Sequence, residues 1–412
     1  MSCCVSSLVN NAGFRYTPLL DETEPVVGLG DFTRCDSDMD THHQLVLPPE
    51  LWLRILLIAV EPDIDLRADE HTPFQPCPKG RLGAHVKLAA QLVLVCRMWY
   101  TLLLPTLSRD VRLGRGSIPL PQHARRVVLS YESTDDTPGH HPIATTIEQL
   151  RQCTDVEILC RPCTSYIVRQ REAPDAIPLP SLKRLEWDNP RGFQYSGINW
   201  LLDVLLESPN LQYLYLGSSD INEGQPYFEG RVEMPALETL RLRYDRGFFI
   251  QDLLELWALP ALRTLILDSP VVHADLETFW KLAGPNLTRV ELGPSHRFDN
   301  NDYLSLCLQN CPVLQDLGYY VWALNPASCR RSHPTLQRIR MHLGRWPDFY
   351  GKSLAGVILC DHFVMFNHPG MKSLTTFVLH GSEHLDMYTS GIDWKAAEES
   401  IVAEGREVIL HG

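Results

Sequence analysis

A short pattern that recurs through most of the chain constrains its fold more than any other feature of the sequence. The pattern is proline, any residue, leucine, two residues, an apolar residue, one residue and a second large apolar residue. Its copies are PSLKRLEW from Pro180, PNLQYLYL from Pro209, PALETLRL from Pro235, PALRTLIL from Pro260, PNLTRVEL from Pro285, PVLQDLGY from Pro312, PTLQRIRM from Pro334 and KSLTTFVL from Lys372, which lacks the proline. Seven prolines in one register indicate a structural repeat.

The spacing of the copies identifies the kind of repeat. Their first leucines stand at positions 182, 211, 237, 262, 287, 314, 336 and 374, so the steps are 29, 26, 25, 25, 27, 22 and 38 residues. All steps except the last fit the period of about 20 to 29 residues that is typical of leucine-rich repeats. Two earlier segments, RRVVLS from Arg125 and TDVEILC from Thr154, are interpreted as degenerate first repeats.

Each copy predicts a short strand whose apolar side chains face a core shared with the neighbouring repeats. One repeat cannot bury its own apolar face, so the array is stable only by stacking. Segments between the copies, such as GINWLLDVLLES and IQDLLELWAL, have helical periodicity and are predicted to form the return side. We therefore expect an α/β leucine-rich-repeat solenoid over residues 114–412, with parallel strands on its concave face and helices or turns on its convex face.

The residues that alternate with the buried ones should point outward from the concave face. Arginine and tyrosine are common there, and both are enriched in binding hot spots. The sequence therefore predicts a substrate-binding face, and its arginines favour an acidic or phosphorylated partner; the alternative is a solvated strand face with incidental charges. The predicted binding residues are Arg184, Tyr213, Tyr215, Arg241, Arg289, Arg338 and Arg340.

The N-terminal part has a different character. Residues 1–44 are rich in Ser, Asp and Thr and predict a disordered leader. From Leu45, LVLPPELWLRILLIAV predicts a helix over residues 48–60, since prolines suit a first helical turn. The Pro- and Gly-rich residues 61–85 predict a loop, residues 86–100 predict a second helix, and Pro105 is expected to end a third.

This segment resembles the F-box motif through LPPELWLRIL from Leu47, LVLVCRMWYTLLLP from Leu92 and LSRDVRL from Leu107. The variant is similar to those of fungal F-box proteins with leucine-rich repeats. The resemblance implies a three-helix domain over residues 45–113 that binds the Skp-type adaptor of an SCF ubiquitin ligase, and through it a cullin. The adaptor contacts and supporting core that it implies are Leu47, Pro48, Pro49, Leu51, Ile55, Leu56, Leu94, Val95, Cys96, Trp99 and Leu103.

Two departures from the family pattern stand out. The loop at 61–85 is longer than is usual between the first two F-box helices. The repeats also lack the Asn or Cys that usually follows the strand, so we expect an irregular solenoid; these positions hold Ser219, Asp245, Pro270 and Ser295.

Composition argues against several other classes of protein. A formal net charge of −13 disfavours a general nucleic-acid binder, and no apolar stretch approaches the roughly 20 residues of a membrane span. The N-terminus has no secretory signal pattern, so we expect a cytoplasmic or nuclear protein whose cysteines are reduced. Neither Cys160 with Cys163 nor Cys307 with Cys311 has a second pair at zinc-finger spacing, and we expect no metal or other cofactor.

The sequence also holds no motif that indicates catalysis. Gly344 stands at the wrong distance from Gly351-Lys352-Ser353 for a phosphate loop, and no G-x-S-x-G or H-E-x-x-H occurs. We therefore expect a non-catalytic protein, and the F-box resemblance implies that it is a substrate-recognition subunit of an SCF-type ligase. The alternative is a leucine-rich-repeat scaffold that acts outside any ubiquitin ligase.

Overall fold

A computed structural model describes residues 47–60, 74, 88, 91–107, 110–113, 124–129, 153–161, 179–189, 204–218, 231–243, 254–268, 276–294, 303–321, 332–344, 352–381, 384–389 and 394–411. The predicted leader at 1–44 and the predicted loop at 61–85, Phe74 excepted, lie outside these residues. Among the described helices, none combines the length and apolar character that crossing a membrane requires.

Twelve described strands form one sheet in which every pairing is parallel. They follow one another in chain order, except that β6 and β8 form a separate parallel pair. The strands are β1 Asp110–Leu113, β2 Arg126–Leu129, β3 Ile158–Arg161, β4 Arg184–Asn189, β5 Tyr213–Ser218, β6 Val232–Glu233, β7 Thr239–Arg243, β8 Trp257–Ala258, β9 Thr264–Leu267, β10 Arg289–Leu292, β11 Asp316–Tyr320, β12 Arg338–His342, β13 Thr376–His380 and β14 Glu407–His411.

The repeat pattern sets the register of this sheet. The central apolar residue of each copy pairs with its counterpart in the next copy, and all eight are fully buried; they are Leu185, Leu214, Leu240, Leu265, Val290, Leu317, Ile339 and Phe377. The first leucines of the copies are buried beneath them. Each such side chain contributes about 1.5–3 kcal/mol when it leaves water, and it does so only because a neighbour covers it. The chain has a leucine-rich-repeat-like α/β fold.

The prolines of the pattern lie in a tight turn before each strand. In the first copy the Leu182 N–H donates to the Leu179 carbonyl at 3.0 Å, which places Pro180 at the second turn position. The same bond recurs in every copy except that of Leu336, whose N–H donates to His333 Nδ1 at 3.2 Å. Proline fits this position because its fixed φ suits the turn and its missing N–H is not needed there.

Seven labelled helices accompany the strands: α1 Pro49–Val60, α2 Arg97–Leu107, α3 Leu276–Ala283, α4 Tyr303–Asn310, α5 Lys352–Phe366, α6 Leu385–Thr389 and α7 Trp394–Ala403. Helices α3, α4, α5 and α7 pack on one face of the sheet, where return segments are expected. Their contributions to the repeat core include Phe279, Trp280, Tyr303, Cys307, Phe363, Phe366 and Ile401. Of the two segments predicted to be helical, only residues 204–206 and 254–256 are helical among the residues described, and Trp257–Ala258 form strand β8 instead. The opposite face of the sheet carries polar and aromatic side chains, and we call it the polar face.

Helices α1 and α2 form a small cluster of their own. Leu56 and Leu103 are its buried pair, and half-buried Leu92 and Trp99 pack against them. The rings of Trp52 and Trp99 lie 5.2 Å apart between centroids, which joins the two helices.

The helix predicted over residues 86–100 is wrong in its extent. Residues 93–95 form a turn, and the Cys96 thiol accepts the Trp99 N–H at 3.5 Å, so α2 begins only at Arg97. A run that is apolar on every side hides such an interruption, because neither the turn nor a cysteine cap changes its composition.

Pro105 does not end this helix, contrary to expectation. Helix α2 runs to Leu107, two residues beyond the proline. A proline so close to the helix end removes one backbone hydrogen bond of the last turn without stopping it.

The sheet extends beyond the predicted repeats at both ends. Strand β1, from residues that sequence assigned to the domain at 45–113, pairs with β2. At the other end α7 leads through Gly405, whose φ is 76°, into β14, which pairs with β13. The predicted strands near Arg125 and Thr154 are confirmed as β2 and β3.

Replacing Leu317 by Ala should lower the free energy of unfolding by about 2–5 kcal/mol, because it leaves a cavity beneath adjoining strands. Leu282 on α3 is 45% exposed, so Leu282→Ala is a matched control that should cost less than about 1 kcal/mol. Urea denaturation followed by circular dichroism measures both. Equal losses would contradict the assignment of Leu317 to the core.

Candidate interaction surfaces

The first candidate site is an exposed apolar surface on helix α1 and on the turn that precedes α2. On α1, Leu51, Ile55 and Ile58 follow one another at helical spacing, and Ile58 is 76% exposed. Leu94 and Val95 are also exposed, Leu94 at 78%, because the turn at residues 93–95 carries them out of the helical core. We call these five residues the helical surface.

The predicted adaptor-contact residues divide into two groups. Pro48, Pro49, Leu51, Ile55, Leu94, Val95 and Cys96 are exposed, and Leu47 and Trp99 are half-buried. Leu56 and Leu103 are fully buried and hold α1 against α2. These two therefore support the helical surface from beneath rather than form part of it.

The second candidate site is the polar face. Register places Glu186, Tyr215, Arg241, Ile266, Glu291, Gly318 and Arg340 in one row across seven consecutive strands of the sheet. These are outward positions of the repeat pattern, as alternation predicts. Most of their polar side chains are paired with a charge from their own or a neighbouring strand.

Each arginine predicted to bind a partner holds a carboxylate of the chain. Arg184 Nε donates to Glu186 Oε1 at 2.7 Å. Arg241 donates from Nε and Nη2 to the Asp268 carboxylate at 3.0–3.1 Å, a paired arrangement that is strong for its geometry. Five arginines thus face four carboxylates, those of Glu186, Asp268, Glu291 and Asp316, so the positive charge of the face is largely neutralised.

Glu291 is the centre of this network and is fully buried. Its carboxylate lies 2.6 Å from Arg340, 3.2 Å from Arg289 and 3.4 Å from His342 Nε2. Burial by itself would raise the pKa of Glu291, but the charge of Arg340 and the contact with His342 lower it to about 2. The side chain is therefore a carboxylate throughout the physiological range.

Gly318 makes the central ion pair possible. It lies between Glu291 and Arg340 in the register, and a Cβ at this position would overlap the Glu291 carboxylate. Only because Gly318 has no side chain can Glu291 cross one strand and reach the arginine on the next.

Asp316 completes the network on the same side. It accepts Arg340 Nε at 2.9 Å and lies 3.6 Å from Arg338. Its pKa is raised, first by burial and then by the neighbouring Glu291, although Arg340 opposes the shift. Arg338 is the most exposed of the face's arginines, with 54% of its side chain accessible.

The two predicted tyrosines lie under arginines. Arg184 Cζ is 4.0 Å from the Tyr213 ring centroid, and Arg241 Cζ is 5.3 Å from that of Tyr215. Both contacts are within cation–π range. Tyr213 is buried in this position, so it stabilises Arg184 rather than standing free.

Sequence reasoning missed a row of aromatic rings at the ends of the last strands. Tyr320 stacks on His342 with centroids 5.0 Å apart, His342 on His380 at 4.9 Å and His380 on His411 at 5.2 Å. Each residue directly follows the second large apolar residue of its strand. Histidine at that position in three successive strands is the signal that could have identified the row.

The surroundings of His380 in this row oppose its protonation. Burial lowers its pKa first, and the neighbouring His342 and Arg340 lower it further, to about 3. The folded chain therefore holds His380 neutral where a free histidine would be partly charged.

The two cysteine pairs considered as metal ligands are described only in part. Among the described residues, no group of three metal-binding side chains occurs. Cys307 and Cys311 are buried thiols with sulfurs 3.9 Å apart. Burial, and next the charge of Glu186, raises the pKa of Cys160 to about 12, which disfavours the thiolate. Cys163 lies outside the described residues.

The fold was compared with solved structures. A crystal structure of a protein from Bacteroides fragilis is similar with 13% identity and a TM-score of 0.32, over 71% of this chain and 66% of that one. The chain thus spans just under two thirds of that protein, and the similarity is too slight to carry an inference. No family model and no curated protein sequence matches the chain.

Gly318→Ala should lower the free energy of unfolding by about 1–3 kcal/mol, because the new methyl group displaces Glu291 from Arg340. In a Glu291→Ala background the same change should cost less than about 0.5 kcal/mol, since nothing is left to displace. Urea denaturation of the four chains of this cycle measures the coupling. Additive losses would show that the carboxylate does not lie over Gly318.

Acid should destabilise the chain through His380. The unfolded chain binds this proton near pH 6.5 and the folded chain only near 3, so the free energy of unfolding falls as pH drops through that window. For one proton the slope is at most about 1.4 kcal/mol per pH unit. The Glu291 carboxylate adds a loss between its ordinary pKa of 4.5 and about 2.

The pH effect is assigned by His380→Phe, which keeps a ring in the stack but cannot be protonated. Between pH 7 and 4.5 this variant should show a flatter dependence of unfolding free energy on pH than the unmodified chain. Leu282→Ala, which removes no titratable group, is the control and should keep the original slope. Parallel curves for all three chains would contradict the assignment.

Proposed function

We propose that this protein is the substrate-recognition subunit of an SCF-type ubiquitin ligase. The helical surface binds a Skp-type adaptor, and through it a cullin, while the polar face holds a protein substrate. The observation that supports the proposal most is the exposure of Leu51, Ile55, Leu94 and Val95, which the F-box resemblance assigns to the adaptor interface.

The helical surface leaves apolar side chains in water, and a partner that buried them would gain free energy. Burying one Leu or Ile side chain gives about 1.5–3 kcal/mol, and the chain forgoes this gain at Leu51, Ile55 and Ile58. Leu51, Ile55 and Ile58 form one apolar stripe along α1, and exposed apolar patches mark interaction sites. Trp52, Leu56 and Leu103 pack beneath and hold α1 against α2, so the exposed residues on α1 and in the turn before α2 are held in place.

The polar face suits a protein substrate more than a strongly acidic ligand. Arg184, Arg241, Arg289 and Arg340 each hold a carboxylate, and an acidic group would have to compete with it. Arg338 is the arginine most open to an acidic or phosphorylated side chain, since its 3.6 Å contact with Asp316 is long and largely exposed.

No catalytic step is assigned to this chain. Ubiquitin transfer belongs to other subunits, and the contribution of the substrate receptor is to hold a substrate lysine near the charged conjugating enzyme. A leucine-rich-repeat scaffold outside any ligase is the alternative, and it would give the helical surface no partner.

Replacing Leu51 and Ile55 together by Glu should reduce retention of a purified Skp-type adaptor by at least about tenfold, because two charges would enter an apolar interface. Purified adaptor is added to the immobilised full chain, and the adaptor retained is quantified. Val357→Glu with Val402→Glu, at two exposed valines on α5 and α7, is the matched control and should leave retention unchanged.

If the unmodified chain is soluble and retains no adaptor, the ligase proposal is wrong, and the result favours the scaffold alternative. If both double variants retain the adaptor equally, the adaptor binds elsewhere than on the helical surface.

A further inference from the structure

Phe74 lies on the polar face, although it comes from the segment that joins α1 to α2. Its ring centroid is 5.8 Å from that of Tyr320 and 5.7 Å from that of His342, which it meets edge-on at 80°. The guanidinium carbon of Arg241 is 5.7 Å from the same centroid. We call Arg241, Tyr320 and His342 the Phe74 seat.

The seat residues are held by partners other than Phe74. Tyr320 and His342 stack on one another, and His342 also stacks on His380 and contacts Glu291. Arg241 is fixed by its hydrogen bonds from Nε and Nη2 to the Asp268 carboxylate. The seat therefore keeps its geometry when Phe74 leaves, and binding another ring there costs little reorganisation.

The chemistry of the seat selects an aromatic side chain. The Tyr320 ring contacts the occupant at an interplanar angle of 58° and the His342 ring at 80°, and a guanidinium lies over the π-system of the occupant. The neighbouring charges of Arg241 and Arg340 are neutralised by Asp268 and Glu291, so the seat offers little to a free anion.

Phe74 differs from the aromatic residues that build the core. Phe279, Phe366 and Phe377 are fully buried, whereas Phe74 is half-buried. A ring that remains partly in water loses less on release than a core ring, which is the property of an exchangeable occupant.

We propose that the Phe74 seat is a binding subsite for an aromatic side chain of the substrate protein, and that Phe74 occupies it until such a partner displaces it. The proposal rests on the proposed function only in calling the partner a substrate. An occupant in the same chain has an effective concentration in the millimolar range, so Phe74 raises the affinity a partner needs and acts as a threshold for binding.

The subsite is tested with the full chain and a synthetic peptide that has the sequence of residues 71–76, His-Thr-Pro-Phe-Gln-Pro. Saturation-transfer NMR detects weak binding of its ring protons. The Phe74→Ala chain should give a signal at least about fivefold stronger than the unmodified chain, in which the seat is filled. The peptide with Ala in place of Phe should give none with either chain.

A Tyr320→Ala change in the Phe74→Ala chain should abolish the signal, and circular dichroism verifies that each variant is folded. Equal signals from the unmodified and Phe74→Ala chains would overturn occupation by Phe74. Absence of signal from the folded Phe74→Ala chain would overturn the subsite and leave Phe74 as a fixed contact of its segment.

A second measurement avoids truncating Phe74. The photoreactive analogue p-benzoylphenylalanine, placed at position 74 of the full chain, should crosslink to peptides that contain Tyr320 or His342, and excess peptide should reduce the yield. Crosslinks confined to other segments would overturn the seat. Neither assay contains the adaptor, so loss of adaptor retention and loss of peptide binding report separately on the two proposals.

Discussion

The structure depends on the burial of one repeat against the next. Strands pair in parallel at equal register, so each central apolar residue lies beside its counterpart, as Leu265 does between Leu240 and Val290. No strand of four to six residues could bury such a side chain alone, and parallel pairing requires a long return segment between partners. The helices that fill these return segments, such as α3 and α4, complete the same core. Stability is therefore distributed along the array, and the terminal strands β1 and β14 matter because they cover the outermost repeats.

The parts of the fold that follow this stacking could be predicted from sequence. In each repeat a turn precedes the strand, and proline and leucine recur at fixed positions in that turn. The strands that follow these turns were predicted at the correct positions. Strands β1 and β14 were missed because DVRL and EVILH lack the preceding turn, and four or five alternating residues do not distinguish a strand from other structure. The break before α2 was missed because it lies within a continuous apolar run whose cap is a cysteine thiol.

The polar face was predicted in its positions but not in its chemistry. Alternation places Arg340 and Glu291 outward, yet their ion pair joins residues 49 apart in the chain and crosses the strand of Gly318. Asp268, the partner of Arg241, stands one residue beyond its strand and outside the repeat pattern. Ion pairs of this kind depend on which side chains the neighbouring strands place beside one another. Counting the charges along a single strand does not reveal these neighbours.

The helical surface and the polar face have opposite physical characters, so they place different demands on a partner. The helical surface exposes apolar side chains that nothing described in the chain covers, so it gains from any partner that buries them. The polar face has already satisfied its charges internally, and its centre at Glu291 is out of reach of solvent. A partner for the polar face must therefore compete with contacts that the chain makes with itself, and Phe74 is such a contact. Phe74 lies between α1 and α2 in sequence. By thermodynamic linkage, any effect of an adaptor at the helical surface on the occupancy of the seat by Phe74 must be matched by an equal effect of the displacing partner on adaptor affinity.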